Sequence, residues 1–511
     1  MSPHPSLGPN PVRRATGLGA GALLVAGAVA LTAWAGPAPA APTRAVGIAD
    51  INAPAVAATY GCPAAPTNTL GGIDVRQATS TTSITPVGSP ASLAYGGKAL
   101  NAAPSSPTTL TGAQGSGGGI LTATPSSDSQ TASDGQTVGA AGVVTSVTDA
   151  GDLRGLAAAP CAPARSAAWI VGGSTALGSS AELRLTNPGV TTVTARVRLY
   201  GSAGAISLPS NGEVVVEPGK TSSVLLESAG AGDPRIALSV ESDGGSVVPT
   251  LVTEGLDGET PAGVEMLTPG AAPATEQIIP TVAVAKSAEQ GSEAVDGASS
   301  SDEPVLRVVN PGETPATVSV ALSGSDGSTP LPGAQAVTID PGSVFDITLT
   351  GVDPGVYGIQ VTSDVPVAAA ARMVRVGGEL PAGSGSLVHD VAWSQAASPG
   401  ALASATALMP RDGVSPGLVI SSTAGEARTV ALASPDGSWS TTLDIPAGAS
   451  VTAQVPAGVS AVRLSAAAPD GLSAAVLLTR KASGDAAGPL IAVLPVIADS
   501  ASRASTRISL D

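Results

Sequence analysis

The stretch LRLTNPGVTTVTARVRLYGSAGAISLPSNGEVVVEPGKTSSVLL, residues 183–226, decides the fold because the chain contains it twice. Residues 306–349 read LRVVNPGETPATVSVALSGSDGSTPLPGAQAVTIDPGSVFDITL and align with it, without a gap, at an offset of 123. Along both copies apolar residues alternate with polar ones, which is the period of a half-buried β-strand. The stretch therefore predicts a set of four short strands that has been duplicated.

Proline and glycine interrupt the alternation at the same places in both copies. Proline at the second position of a turn fixes φ, and the glycine after it accepts the positive φ that a Cβ would oppose. We therefore predict a turn of this kind at each place. The residues of these repeat turns are Asn187, Pro188, Gly189, Pro218 and Gly219 in the first copy, and Asn310, Pro311, Gly312, Pro341 and Gly342 in the second.

A third and weaker copy follows. Leu418, Val430 and Leu464 occupy its apolar positions, but residues 421–425 read SSTAG where the other copies have Asn-Pro-Gly. Repeated short strands with frequent turns are typical of antiparallel sandwiches. We predict an all-β protein of tandem, immunoglobulin-like antiparallel β-sandwich modules, with repeats at 166–286, 304–385 and 386–482.

The composition supports this class. The chain has 511 residues, enough for three or four domains, and 43% of them are apolar although only 2% are aromatic. With 63 Gly and 44 Pro, turns are frequent and long helices are disfavoured. The formal charge of −16 repels phosphate backbones, so we expect no nucleic-acid partner.

The first 41 residues have the pattern of an export signal. Arg13 and Arg14 precede an uncharged apolar run at 15–35, and small residues follow at 36–41. The apolar run is also long enough to span a bilayer, so segment 1–41 is either a cleaved signal peptide or a membrane anchor. We expect an extracytoplasmic protein, secreted or anchored to the cell membrane by this segment, and no other contact with the membrane.

Cys62 and Cys161 are the only cysteines, and both would lie in an oxidising compartment. We predict that they form a disulfide within an N-terminal β region, 42–165, that also holds a Ser/Gly-rich loop; two free structural thiols are the alternative. Segment 287–303 has the composition of an acidic linker, and 483–511 that of a final strand and a tail.

Reactive residue types are scarce. His389 is the only histidine after the signal segment, and although Asp390 follows it, no Gly-x-Ser-x-Gly motif accompanies the pair. We interpret His389 as structural, and the histidine count excludes the usual zinc sites. Trp169, Trp393 and Trp439 are expected to anchor sandwich cores. No catalytic, cofactor-binding or metal residue is predicted, and no cofactor.

Several motifs resemble a family of unknown function numbered 5719. They are Cys62-Pro63, the run LRGL at 153–156, WIVGG at 169–173 and the strand ending in Asn187. The resemblance implies an exported actinobacterial envelope protein and assigns no catalytic residue. We expect a non-enzymatic structural or scaffold protein that contacts envelope proteins or wall polymer. A glycan-binding accessory protein is the alternative, and a hydrolase with paired carboxylates is disfavoured.

Overall fold

The computed structural model describes residues 57–71, 74–76, 78–88, 90–101, 107–115, 117–125, 139–285, 303–484 and 486–498. The regular structure within these ranges is almost entirely β, and every strand pair is antiparallel. The helical pieces are one α-helical turn, α1 (Gly112–Gly115), and 3-10 turns at Pro209–Gly212, Leu226–Ala229 and Ala401–Ala403. The predicted all-β class is therefore confirmed. The predicted export segment, the acidic stretch 287–302 and the tail after 498 lie outside the described residues. Within the described ranges no helix has the length and apolar character needed to cross a membrane.

The strands fall into four groups in chain order, which we call modules A to D. The strands of module A are β1 (Ala58–Gly61), β2 (Thr79–Val87), β3 (Ser92–Tyr95), β4 (Lys98–Leu100), β5 (Thr108–Leu110), β6 (Ile120–Thr124), β7 (Gly139–Thr148), β8 (Gly155–Pro160) and β9 (Ala162–Pro163). Those of module B are β10 (Ala167–Val171), β11 (Ser179–Thr186), β12 (Val193–Gly201), β13 (Gly204–Ile206), β14 (Glu213–Val216), β15 (Thr221–Leu225), β16 (Ala237–Asp243), β17 (Val248–Asp257) and β18 (Thr260–Leu267).

The two remaining modules contain the second and third sequence repeats. The strands of module C are β19 (Ala274–Val284), β20 (Val305–Val309), β21 (Ala316–Gly324), β22 (Gly327–Pro330), β23 (Val337–Ile339), β24 (Val344–Thr348), β25 (Gly355–Glu379) and β26 (Leu387–Gln395). Those of module D are β27 (Ala405–Leu408), β28 (Ser415–Ser422), β29 (Arg428–Ala433), β30 (Ser440–Ile445), β31 (Ser450–Ala453), β32 (Ala461–Ser465), β33 (Leu472–Ala482), β34 (Gly488–Pro495) and β35 (Ile497–Ala498).

Each module has an inner and an outer sheet with the same strand order. The inner sheets are β5-β2-β7-β8, β15-β11-β17-β18, β24-β20-β25-β26 and β31-β28-β33-β34. The outer sheets are β4-β3-β6-β1, β13-β12-β16-β10, β22-β21-β25-β19 and β30-β29-β32-β27. In module C the long strand β25 belongs to both sheets. The N-terminal region is thus a fourth copy of the repeated fold, which the sequence did not reveal.

The strand alternation read from the sequence is confirmed in module B. Along β12 the apolar residues Val193, Ala195 and Val197 are buried, whereas Thr194 and Arg196 between them are exposed. The buried faces form cores that continue from one module to the next. The core of module D, for example, includes Val87, Val143 and Leu156 of module A.

The four modules close into a ring. The last strand of each inner sheet, β8, β18, β26 or β34, contacts the corresponding strand of both neighbouring modules around a common axis. In addition, the outer sheet of each module packs on the inner sheet of the next: β10 on β20 and β25, β19 on β28 and β33, and β27 on β7. Gly61 at the end of β1 lies against Val248 of module B, which completes the order A, B, C, D and back to A.

The strand pairing shifts the module boundaries predicted at 286, 303, 385 and 482. Strand β19 pairs with β25, and so does β26, so module C runs from 274 to 395. The acidic segment is therefore an insertion between the first two strands of module C rather than a linker between modules. Strands β34 and β35 complete module D. Alternation identifies strands but carries no information on their partners, which explains the shift.

Candidate functional site at the module junctions

The predicted disulfide is confirmed. Cys62 and Cys161, 99 residues apart in sequence, are bonded and buried. The bond joins the segment after β1 to the segment after β8, so it ties the two sheets of module A at their ends. It also fixes the start of the chain segment that leaves module A towards module B.

The Asn-Pro-Gly turns are built by the asparagine side chain. Asn187 Nδ2 donates to the carbonyls of Thr191 (2.7 Å) and Val216 (3.0 Å), and its Oδ1 accepts from the N–H of Gly189 at 2.9 Å. Asn310 repeats these contacts in module C, with Thr314, Ile339 and Gly312. The side chain thus satisfies backbone groups of the turn and of the adjacent strand.

The predicted positive φ holds for only one of the two kinds of turn. Gly219 and Gly342, in the Pro-Gly turns after Pro218 and Pro341, both have φ of +69°. Gly189 and its counterpart Gly312, after Pro188 and Pro311, are not in the positive-φ region, so that part of the prediction was wrong. The physical reason is the asparagine oxygen, which holds the glycine N–H and selects a different turn geometry.

The ring axis carries a buried polar cluster. Arg154, just before β8, donates from Nε to the carbonyl of Ala486 (2.7 Å) and from Nη1 to that of His389 (3.3 Å). Asp390 Oδ2 accepts from the N–H of Ile491 at 2.7 Å. These bonds connect modules A, C and D. His389 is buried, and its carbonyl is used here, which is consistent with a structural histidine.

Burial dominates the electrostatics of this cluster. It raises the pKa of Glu265 on β18 well above the usual value; the N–H of Met266 partly offsets this and the charge of Asp390 adds to it. Burial likewise raises the pKa of Asp390, although the N–H of Ile491 and the Arg154 guanidinium oppose the rise. Within the described ranges no three His, Cys, Asp or Glu side chains are grouped to hold a metal ion.

The three tryptophans of the described residues lie in modules B, C and D. Trp169 stacks on Tyr200 with ring centroids 5.5 Å apart, and Trp439 packs against the core of module D. Trp393 is buried, with the guanidinium of Arg307 4.9 Å and that of Arg372 6.0 Å from its ring centroid. Trp393 therefore lies at the junction between modules B and C rather than in the middle of one sandwich.

Two junctions use an arginine at the same place in the fold. Arg184 donates from Nη1 to the carbonyls of Ala64 (2.9 Å) and Ala65 (3.1 Å) in module A, and pairs with Glu182 at 2.6 Å. Arg307, which is 123 residues further on, donates to the carbonyl of Gly173 in module B at 2.5 Å and pairs with Asp346. Both arginines are buried. They are the junction residues that the sequence reading missed.

A signal for them was present in the repeat. Most outward-facing positions differ between the two copies, but Arg184 and Arg307 align with each other at an outward position. A charged residue that both copies keep on an outward face indicates that this face is covered. The covering element could not be read from the repeat, because it belongs to the preceding module.

The segment that covers module B we call the strap, residues 64–70. It belongs to the 17-residue connection 62–78 between β1 and β2. The Thr69 N–H and hydroxyl lie 2.9 and 3.0 Å from Glu254 Oε2, and the hydroxyl is 2.8 Å from Ser180 Oγ. Burial raises the pKa of Glu254, and these hydrogen bonds partly offset the rise. The strap thus lies against β11 and β17 of module B and forms hydrogen bonds to side chains of both strands.

Shorter connections leave clefts at two other junctions. The connection 172–178 has seven residues, and a cleft of about 280 Å³ lies between modules B and C, bordered by Leu177 and Trp393. The connection 409–414 has six, and a cleft of about 710 Å³ lies between modules D and A. We call the latter the D–A cleft. Its lining residues include Asp74, Arg76, Thr79, Thr81, Thr145, Thr148, Asp149, Asp412 and Arg480.

The chain belongs to the family of unknown function DUF5719, whose model matches residues 121–456, or 336 of the 511 residues. The resemblance found in the sequence motifs is thereby confirmed. The matched stretch begins at β6 of module A and ends inside module D.

No curated protein matches the chain in sequence. Among solved structures, Thermotoga maritima 1070 is 17% identical and covers 24% of this chain and 93% of its own, with a TM-score of 0.18. The Anabaena sensory rhodopsin transducer is 16% identical, covers 19% and 96%, and has a TM-score of 0.15. An allantoicase is 10% identical, covers 46% and 80%, and has a TM-score of 0.11. None of these values supports an argument on fold or function.

Proposed function

We propose that the protein is an exported, non-enzymatic structural or scaffold protein of the cell envelope, in which the ring serves as a rigid platform for other envelope components. The observation that carries the proposal is the closure of the ring through shared cores. Val143 and Leu156 of module A belong to the same apolar cluster as Leu418 and Val476 of module D. Modules that share a core cannot move independently, unlike domains joined only by linkers.

The polar groups at the axis support the same proposal. Arg154 bonds to backbone carbonyls, and Asp390 accepts from a backbone N–H. These hydrogen bonds fix the relative position of the modules. A platform of fixed geometry presents its clefts and loops in a constant arrangement, which is what a scaffold requires.

The test is to locate the protein and its neighbours in cells. Mass spectrometry of medium, membrane and wall fractions would give both the location and the N-terminus of the native chain. Chemical cross-linking in the envelope fraction, followed by capture of this protein, is expected to recover a reproducible set of envelope proteins. A cytoplasmic location, or turnover of a substrate by the purified protein, would overturn the proposal.

A glycan-binding accessory role is the second candidate, and the lining of the D–A cleft favours it. Threonines line this cleft together with the ion pair of Asp149 and Arg480, whose closest atoms are 3.0 Å apart. Such groups can donate to and accept from the hydroxyls of a neutral sugar. Pull-down with purified wall polymer tests this candidate, and retention of the protein that Thr81→Val abolishes would support it.

A further inference from the structure

Three junctions of the ring, A–B, B–C and D–A, are built in the same way. At each of them the connection after the first strand of one module borders the inner sheet of the next module. The A–B junction and the D–A junction are therefore comparable sites. The former holds a piece of polypeptide, and the latter is an open cleft.

The strap shows what such a site binds. Its carbonyl groups at Ala64 and Ala65 accept from a buried arginine, and the Thr67 hydroxyl lies 3.2 Å from the same guanidinium. Thr69 contacts a buried carboxylate and a serine. The strap sequence around these residues is PAAPTNTL, residues 63–70. Proline keeps such a segment extended and threonine supplies hydroxyls.

The D–A cleft offers the same kinds of groups. Arg480 donates to the Asp149 carboxylate at 3.2 and 3.0 Å, and its Nη1 donates to the carbonyl of Gly413 at 2.9 Å, so a guanidinium here already binds a backbone carbonyl. Thr81 and Thr145 on neighbouring strands of module A lie 3.0 Å apart at their hydroxyls and line the cleft with Thr79. These strands, β2 and β7, correspond to β11 and β17, which bind the strap.

We propose that the D–A cleft binds an extended, proline- and threonine-containing peptide segment of a partner protein, in the manner in which the strap binds module B. The inference rests on the proposed scaffold function and names the partner chemistry for it. The cleft volume of about 710 Å³ lies within the range of pockets that enclose drug-sized ligands. Binding would place the peptide along the threonine face formed by Thr79, Thr81 and Thr145, beside the Arg480–Asp149 pair.

The experiment measures binding of a fluorescently labelled PAAPTNTL peptide to the purified full chain by fluorescence anisotropy. Thr79 is exposed at the cleft, so Thr79→Arg should fill the site and weaken binding at least about tenfold. The control is Thr441→Arg on the exposed strand β30, which should leave affinity unchanged. A peptide with valine at both threonines should bind about tenfold more weakly than the parent peptide.

Two results would overturn the inference. They are no binding of the peptide up to about 1 mM, or equal binding by the Thr79→Arg and Thr441→Arg variants. Displacement of the strap itself would also be detected, because such binding would not respond to Thr79→Arg. Failure of this test leaves the cell-fractionation result unaffected, so the inference and the proposed function can fail separately.

Discussion

The A–B and D–A junctions share one architecture and differ in whether the chain fills them. At the first, a 17-residue connection lays the strap over module B and a buried arginine binds its carbonyls. At the second, a six-residue connection leaves a cleft over module A. The inner sheets are equivalent, so the difference lies in loop length and in the side chains that face the loop. In this ring, the repeated strands set the frame and the connections set what each junction can do.

The largest expected effect comes from the disulfide that fixes the start of the strap. A closed loop of about 100 residues restricts the unfolded chain by roughly 4.7 kcal/mol in the entropic account, and the two cysteines are 99 residues apart. We expect the Cys62→Ala, Cys161→Ala double variant to lose about 4–5 kcal/mol of unfolding free energy in urea denaturation. The strap should also become accessible to protease, making the A–B junction resemble the D–A cleft.

The outcome has a clear alternative. If the double variant loses less than about 1 kcal/mol of unfolding free energy and its strap stays protected from protease, then the arginine contacts alone hold the strap in place. In that case the disulfide would not be the feature that distinguishes the two junctions.

The second-largest loss of stability is expected when a junction arginine, Arg184 or Arg307, is replaced. Removing one partner of a buried ion pair leaves an uncompensated charge, which costs about 3 kcal/mol or more. Arg307 is 1% exposed and pairs with Asp346, and Arg184 pairs with the largely buried Glu182. Arg307→Ala and Arg184→Ala should each lower the unfolding free energy by about that amount.

Arg196 is the matched control for these variants. It pairs with Glu213 at 2.6 Å, but both side chains are about half exposed. Exposed pairs contribute about 0–1 kcal/mol, so Arg196→Ala should change stability little. Equal losses for Arg196→Ala and Arg307→Ala would show that the junction arginines do not join the modules.

The axial carboxyl group gives a smaller, pH-dependent effect. The pKa of Glu265 is raised in the folded state, so the folded protein keeps this proton at a pH where the unfolded chain, with an ordinary pKa of about 4.3, has released it. Stability contributed by this group is complete below the unfolded pKa and is lost as pH rises through the folded pKa. Denaturation midpoints measured across this range should therefore fall towards alkaline pH.

Glu265→Gln tests the assignment of this pH dependence. Glutamine mimics the neutral carboxyl group, so the variant should lose less stability than the wild type as pH rises. Glu213→Gln, at an exposed site, should follow the wild-type curve. A Glu265→Gln curve parallel to that of the wild type would place the pH dependence elsewhere, with Asp390 as the next group to replace.

The sequence predicted what is local and missed what is long-range. Alternation located the strands of modules B, C and D, and proline and glycine located their turns, because both act within a few residues. Strand partners are set by packing, so module C was predicted to begin at 304, although β19 already pairs with β25. Module A went unrecognised as a copy because it lacks the Asn-Pro-Gly turn and carries longer connections.

The candidate site could not be predicted from the sequence, because it too depends on long-range packing. The D–A cleft joins Thr79 and Arg480, which are about 400 residues apart, and no periodicity connects them. Only the aligned pair Arg184 and Arg307 gave a hint, since a charge retained on an outward face of both copies indicates a shared contact. A repeat therefore predicts the module, whereas its junctions follow from the order in which modules pack.

The smallest effect is expected from a turn between the repeated strands, which form the frame common to all junctions. Gly219 has φ of +69°, and a Cβ built there would meet no atom within 4 Å, so Gly219→Ala isolates the conformational cost of about 1 kcal/mol. Gly425 is the control, because its Cβ would also meet nothing within 4 Å and its φ is not positive. Thermal melts should show a lower melting temperature for Gly219→Ala and an unchanged one for Gly425→Ala. A change in the protease sensitivity of the strap in Gly219→Ala would mean that the turns and the junction are coupled, and the comparison of the two junctions would then have to include the turns.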